Sequence, residues 1–125
     1  MKKRIYYHDT DCGGVVYYAN YLKYLEEART EYMEVRGLNL KELSEKGTLF
    51  VVRSVNIEYK APAHYADILE ISTKVNKIRN VSVEFLQEIK REGKILVSAL
   101  TTLVCIDKNF RPCAMCDEFL NNLSK

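Results

Sequence analysis

The hydrophobic residues of this chain change period once, and that change restricts the folds open to it. Tyr18, Tyr21, Leu22, Leu25, Ala28, Tyr32 and Val35 recur three or four residues apart, with Gly37 behind them as a stop. That spacing marks one face of a long helix. A shorter helix is expected over Leu40 to Lys46, capped by Asn39 and followed by Gly47. From Val51 the period is two. Val51, Val55, Ile57 and Tyr59 face one way; Val52, Ser54, Asn56, Glu58 and Lys60 face the other. Leu69, Ile71, Thr73 and Val75 repeat the alternation, as do Val81, Val83, Phe85 and Ile89. Arg91-Glu92-Gly93-Lys94 signals a turn into Ile95–Ile106, a nearly continuous apolar run that reads as a strand covered on both faces. Ile5-Tyr6-Tyr7 reads as a short first strand, and Asp117 to Leu123 as a short last helix. The simplest two-layer solution is α+β: one curved antiparallel sheet wrapped around one long helix.

Composition narrows the function classes. A chain of 125 residues suits a single domain over 1–125. Nineteen basic residues against 17 acidic ones leave +2, too weak a field to argue for a nucleic-acid partner. No apolar run approaches the ~20 residues of a membrane span, and Met1-Lys2-Lys3-Arg4 leads into tyrosines rather than a secretory core. A cytoplasmic location is expected, with the four cysteines as thiols. Neither usual phosphate loop is present, and His8 and His64 are the only histidines, in no metalloprotease motif. Catalysis by such a chain must rest on carboxylates and backbone groups.

The most specific segment runs Tyr7-His8-Asp9-Thr10-Asp11-Cys12-Gly13-Gly14-Val15-Val16-Tyr17-Tyr18-Ala19-Asn20-Tyr21-Leu22. It resembles the signature of the hotdog-fold acyl-CoA thioesterases of the 4-hydroxybenzoyl-CoA thioesterase type, including the Tol–Pal-associated branch. The likeness continues through Glu27-Ala28-Arg29, Tyr59-Lys60-Ala61-Pro62-Ala63-His64-Tyr65-Ala66-Asp67 and Arg111-Pro112, almost the whole chain. It implies the hotdog fold, hydrolysis of an acyl-CoA to free acid and coenzyme A, and a homodimer or homotetramer with its site between subunits. It also implies that Asp11, the second aspartate of the triplet, is catalytic.

The residues carry the chemistry independently. Asp11 lies in a glycine-rich loop directly before a helix start, where unpaired N–H groups and a partial positive charge suit a developing oxyanion. The backbone N–H groups of Tyr17 and Tyr18 are the candidates to polarise a thioester carbonyl. Asp11 then serves as nucleophile, forming a mixed anhydride, or as general base on water. An isolated Asp-x-Asp before a helix reads first as a cap or polar turn; the sixteen-residue match shifts the reading to catalysis. The Tol–Pal branch usually has histidine where this chain has Tyr18, so an imidazole mechanism is not expected, and the Tyr18 ring itself suits packing or shaping the acyl pocket. Gly14 and Val16 are assigned to the substrate side of the loop. Glu26, Glu27 and Glu31 are reserve carboxylates, although their alternation with Arg29 reads as a solvated or ion-paired helix face.

Coenzyme A brings phosphates, so cations are needed near its groove. Arg79, in Lys77-Ile78-Arg79-Asn80-Val81-Ser82, is the leading candidate, with Ser82 adding a hydrogen bond and Lys60, Lys77 and Lys90 as weaker ones. No cofactor is expected, the coenzyme A thioester being substrate. Cys113-Ala114-Met115-Cys116 is half a zinc site at most, and no metal is assigned. His64 reads as a surface or interface residue. The competing function is a non-hydrolytic acyl-CoA or acyl-carrier binder on the same fold. A hotdog dehydratase is disfavoured, because neither histidine sits in a matching motif.

Overall fold

Lys2–Arg4 forms β1, and it pairs antiparallel with β3, Ile68–Ile78, through Lys2↔Glu70, Lys3↔Leu69 and Arg4↔Ile68. The computed structural model describes residues 1–124; Lys125, the last residue of the expected domain, lies outside the described residues. The first strand therefore precedes the expected Ile5–Tyr7. Its three residues are charged, as suits an exposed edge, and Tyr7–Asp9 is instead a 3-10 turn.

The long helix, α1, spans Asn20–Val35, two residues shorter at its start than its pattern suggested, because Tyr18 and Ala19 form a turn into it. Gly37 follows at φ 77°, a left-handed position that ends the helix. Its buried face consists of Tyr21, Tyr24, Leu25, Ala28, Arg29 and Met33. Tyr18, Leu22 and Val35 of the expected stripe are exposed. The short helix α2, Leu40–Glu45, is capped as expected: Asn39 Oδ1 accepts from the Lys41 and Glu42 N–H groups at 3.0 and 3.1 Å. The last helix, α3, spans Asp117–Leu123.

Three long strands complete the sheet: β2, Leu49–Tyr59; β4, Ser82–Arg91; and β5, Lys94–Ile106. All pair antiparallel in the order β1-β3-β4-β5-β2, so β2 is a long free edge. Register shifts occur in three of the strand pairs, and two of them re-aim side chains that matter here. Arg53 is skipped between Val52↔Leu103 and Ser54↔Thr102, so Val52, not Val51, shares the inward face with Val55, Ile57 and Tyr59. A second bulge at Asn76 shifts β3 against β4. On β5 the inward residues Val97, Ala99, Thr101, Leu103 and Cys105 are buried, whereas Ser98, Leu100 and Val104 on the opposite face are half-buried. Val81 lies just outside β4, its carbonyl accepting from Cys105 N–H at 2.8 Å.

The sheet curves around α1 and encloses two apolar clusters. One joins Ile5, Tyr21, Leu25, Leu69, Ile89 and Val97; the other joins Met33, Phe85, Leu103, Met115 and Phe119. A polar group bridges helix and sheet. Gln87, fully buried on β4, accepts from Arg29 Nη1 at 3.1 Å and donates to Leu25 O at 2.9 Å and Thr73 Oγ1 at 3.0 Å. Burial lowers the pKa of Arg29, with Glu26 opposing the shift. These bonds fix the height of α1 on the sheet, and so the position of its N-terminus.

Candidate active site

The loop before α1 folds back on itself. Thr10 bridges to Val16, and Asp11 N–H donates to Val15 O at 2.9 Å. A second bridge joins Val15 to His64, while Val16 N–H donates to Ala63 O at 2.9 Å. Asp11 is exposed at the tip. Its Oδ1 accepts from Gly13 N–H at 2.8 Å, and its other oxygen has no partner among the described residues. A Cβ on Gly13 would sit 3.2 Å from Asp11 Oδ1, a tight contact that the exposed carboxylate would have to relieve by a small shift. Gly14 holds φ 80° and donates to Asp11 O at 3.1 Å.

Asp9 behaves differently. It is 6 % exposed, and its Oδ2 accepts from Tyr6 N–H at 2.9 Å. Burial raises its carboxyl, but the Tyr6 N–H, the neighbouring Tyr24 hydroxyl, His8 and Lys3 outweigh that and hold it below the usual range. The Tyr24 hydroxyl stays short of full hydrogen-bond geometry with any partner, and burial first, then Asp9, drives its titration upward. Asp9 O also accepts from Asn20 Nδ2 at 2.9 Å and from Tyr17 N–H at 3.0 Å. This corrects one expectation: the Tyr17 N–H is spent inside the loop. The N–H groups of Tyr18 and of Ala19, the N-cap, make no hydrogen bond within the described residues and are free donors at the helix start, Tyr18 being the one among the expected residues.

Beside it lies a cleft of about 280 Å³ lined by Val16, Tyr18, Tyr21, Tyr59, Lys60, Ala61 and Pro62. Of the expected substrate-side residues, Val16 and Lys60 thus meet Tyr18 here. Tyr18 stands edge-on to Tyr59, and Tyr21 OH accepts from Ala63 N–H at 3.1 Å. Burial raises the phenols of Tyr21 and Tyr59, keeping the wall uncharged. The Pro62 loop is clamped by Asp67, whose role pattern reading missed because its partner is distant in sequence. Asp67 Oδ2 accepts from His64 N–H at 2.8 Å and from Arg91 Nη1 at 2.6 Å, and Arg91 also donates to Pro62 O at 3.3 Å. Ala66 turns the chain at φ 71°.

The other expected residues are elsewhere. Arg79 and Ser82 lie at the β3–β4 turn, and the ten steps of β3 put that turn ~33 Å along the sheet from Asp67. Ser82 is 2 % exposed, so its hydroxyl is not offered to a ligand, a second correction. Glu27 pairs with Lys3 of β1 at 3.6 Å and Glu26 accepts from Thr30 at 3.1 Å, whereas Arg29, with which they alternate, is buried against Gln87. Among the described residues no cluster of three or more His, Cys, Asp or Glu side chains could hold a metal, and no helix is long and apolar enough to cross a membrane.

A thioesterase-like superfamily model matches residues 6–123. The chain belongs to the thioesterase-like superfamily. It is an enzyme of that kind, a thioester hydrolase with the α+β hotdog fold. It is 42% identical over 105 residues to the acyl-CoA thioester hydrolase YbgC of Escherichia coli, covering 83% of this chain and 78% of that protein. The acyl-CoA thioesterase YbgC of Haemophilus influenzae is 38% identical over 105 residues, covering 83% and 77%. Among solved structures, the probable thioesterase from Bartonella henselae superposes with a TM-score of 0.89 at 30% identity, covering 93% of this chain and 97% of that one.

Proposed function

We propose that this chain hydrolyses small-to-medium acyl-CoA thioesters to free acid and coenzyme A. The observation that carries the reading is the pairing of an outward carboxylate, Asp11, with the unspent Tyr18 N–H on one short loop beside a tyrosine-lined cleft. The acyl group lies in the cleft and its thioester oxygen faces the Tyr18 N–H, which stabilises the charge that develops there. Asp11 attacks the carbonyl carbon to give a mixed anhydride, which water then hydrolyses to free acid and the Asp11 carboxylate, or it takes a proton from the attacking water; in both routes coenzyme A leaves as thiolate. Gly13 and Gly14 keep the loop thin enough for close approach. No cofactor takes part.

The working site is shared between two copies. The edge of β2 is free over 11 residues, and Val52, Val55 and Tyr59 on its inward face are exposed, as are Tyr18, which stands against Tyr59, and Leu22 of α1. Buried apolar area and an unpaired edge both favour a partner strand. A second copy paired antiparallel along β2 around a two-fold axis sets its own β3–β4 turn at the end of the sheet that holds Asp11. Arg79 of that copy then meets the phosphates of coenzyme A while Lys60 serves from the near side.

Release of free thiol from a panel of aliphatic and aromatic acyl-CoAs tests the function. Turnover on at least one member is expected. Binding to every member without release on any would replace the enzyme by an acyl-CoA binder.

A further inference from the structure

Cys105 Sγ and Cys113 Sγ lie 3.2 Å apart. The two residues are cross-strand neighbours, for Ile106 bridges to Pro112 and Cys113 N–H donates to Cys105 O at 2.9 Å. Residues opposed in an antiparallel pair have Cα atoms ~4.5–5.5 Å apart, inside the ~4.4–6.8 Å that a disulfide spans. Closing the sulfurs to ~2.05 Å therefore asks little of the backbone. Cys116, the other half of the Cys-x-x-Cys motif, faces solvent at the start of α3.

We propose that Cys105 and Cys113 form a redox modification site that closes to a disulfide on reaction with a peroxide. Cys113 reacts first because it is partly exposed, whereas Cys105 is 1 % exposed. Burial, followed by the contact with Cys113, pushes the Cys105 thiol up to about 12, so Cys105 stays protonated at neutral pH. The Cys113 sulfur attacks one peroxide oxygen, the O–O bond breaks, and sulfenic acid and water are formed (an alcohol, for an alkyl peroxide). The Cys105 sulfur then attacks the sulfenic sulfur, the S–O bond breaks, and the Cys105 proton leaves with the hydroxide as a second water. Two electrons pass from the thiols to the peroxide.

The bond would fasten a segment that the core depends on. Beyond Cys113 the chain sends Met115, Phe119 and Leu123 into the second apolar cluster, and Phe119 stacks on Phe50 of β2 at 4.8 Å. A cross-link at Cys113 holds this segment to β5 and opposes fraying of α3. The Cys105 sulfur is buried, so small thiols reach the bond only from the Cys113 side and reversal is slowed.

The test treats the intact protein with hydrogen peroxide, blocks remaining thiols and digests it with trypsin without reductant. Cleavage at Lys94 and Lys108 separates Cys105 from Cys113, so a linked pair of peptides, two hydrogens lighter than their sum and parted by reductant, is expected. Cys116→Ser should keep that link and Cys113→Ser should lose it. Oxidation should raise Tm in the wild type and Cys116→Ser, and leave it unchanged in Cys105→Ser and Cys113→Ser. A Cys113–Cys116 link, or Cys113 oxidised to sulfinic acid with Cys105 still a free thiol, would overturn the proposal.

Discussion

Asp9 and Asp11, two residues apart, turn their carboxylates in opposite directions. Asp9 faces inward and receives the Tyr6 N–H at 2.9 Å; Asp11 faces outward and holds only Gly13 N–H at 2.8 Å. One carboxylate shapes the loop and the other is left for chemistry. Asp9→Ala should therefore cost about 1–3 kcal/mol of stability, since it empties a buried site and strands the part-buried Tyr6 N–H. Asp11→Asn should change stability by less than about 1 kcal/mol. Urea unfolding of both variants checks this; equal losses would contradict the division of roles.

The donor that Tyr18 offers ahead of the helix is a backbone group, so its phenol should matter less than its N–H. Tyr18→Phe should keep most of the turnover. Tyr18→Pro removes an N–H that lies ahead of the N-cap Ala19 and that no helix hydrogen bond uses, and should lower kcat by about 10²-fold or more with helix content unchanged. Equal activity in the two variants would show that the carbonyl is polarised elsewhere.

Asp11 and Arg79 sit at opposite ends of one chain's sheet, so a shared site permits rescue between copies. Asp11→Asn and Arg79→Glu should each be nearly inactive alone. Exchanged into mixed dimers they should recover roughly a quarter of wild-type activity, since half the dimers are mixed and each holds one intact site. No recovery on mixing would argue that each chain supplies its whole site.

Acid should loosen the Pro62 loop. Burial raises the Asp67 carboxyl, but the His64 N–H and the Arg91 guanidinium overcome this and hold it below its ordinary value, as Asp9 is held by its own partners. A carboxylate lowered in the native state binds fewer protons than in the unfolded chain. Its contribution is present above the unfolded pKa of about 3.9 and is lost as pH falls through the native value. Tm should be steady from neutral pH down to about 5, fall below about 4, and fall less steeply in Asp67→Asn. An identical acid slope in that variant would remove Asp67 from the account.

Much of this fold was legible in the chain because the governing signals are local. Gly37, the Asn39 cap and the Asp117–Leu123 helix lie where pattern reading put them. What it missed depends on distant partners. The bulge at Arg53 exists only in register with Leu103 and Thr102, and it moves Val52 onto the face assigned to Val51. Arg29 joins the buried face because Gln87, 58 residues away, accepts its hydrogen bond. At the site, Asp11 was visible through its motif. That the Tyr17 N–H is taken by Asp9 O, and that Ser82 is enclosed at a strand start, follow only from the folded chain. The cysteine spacing carried no signal of this kind: position 113 meets 105 across an antiparallel bridge, a pairing that Cys-x-x-Cys does not show.

The central claim is that Asp11 drives thioester cleavage, and steady-state thiol release on the best acyl-CoA of the panel tests it most directly. Asp11→Asn should lower kcat by at least about 10²-fold while its Tm stays near that of the wild type. Undiminished turnover by a folded Asp11→Asn enzyme would contradict it.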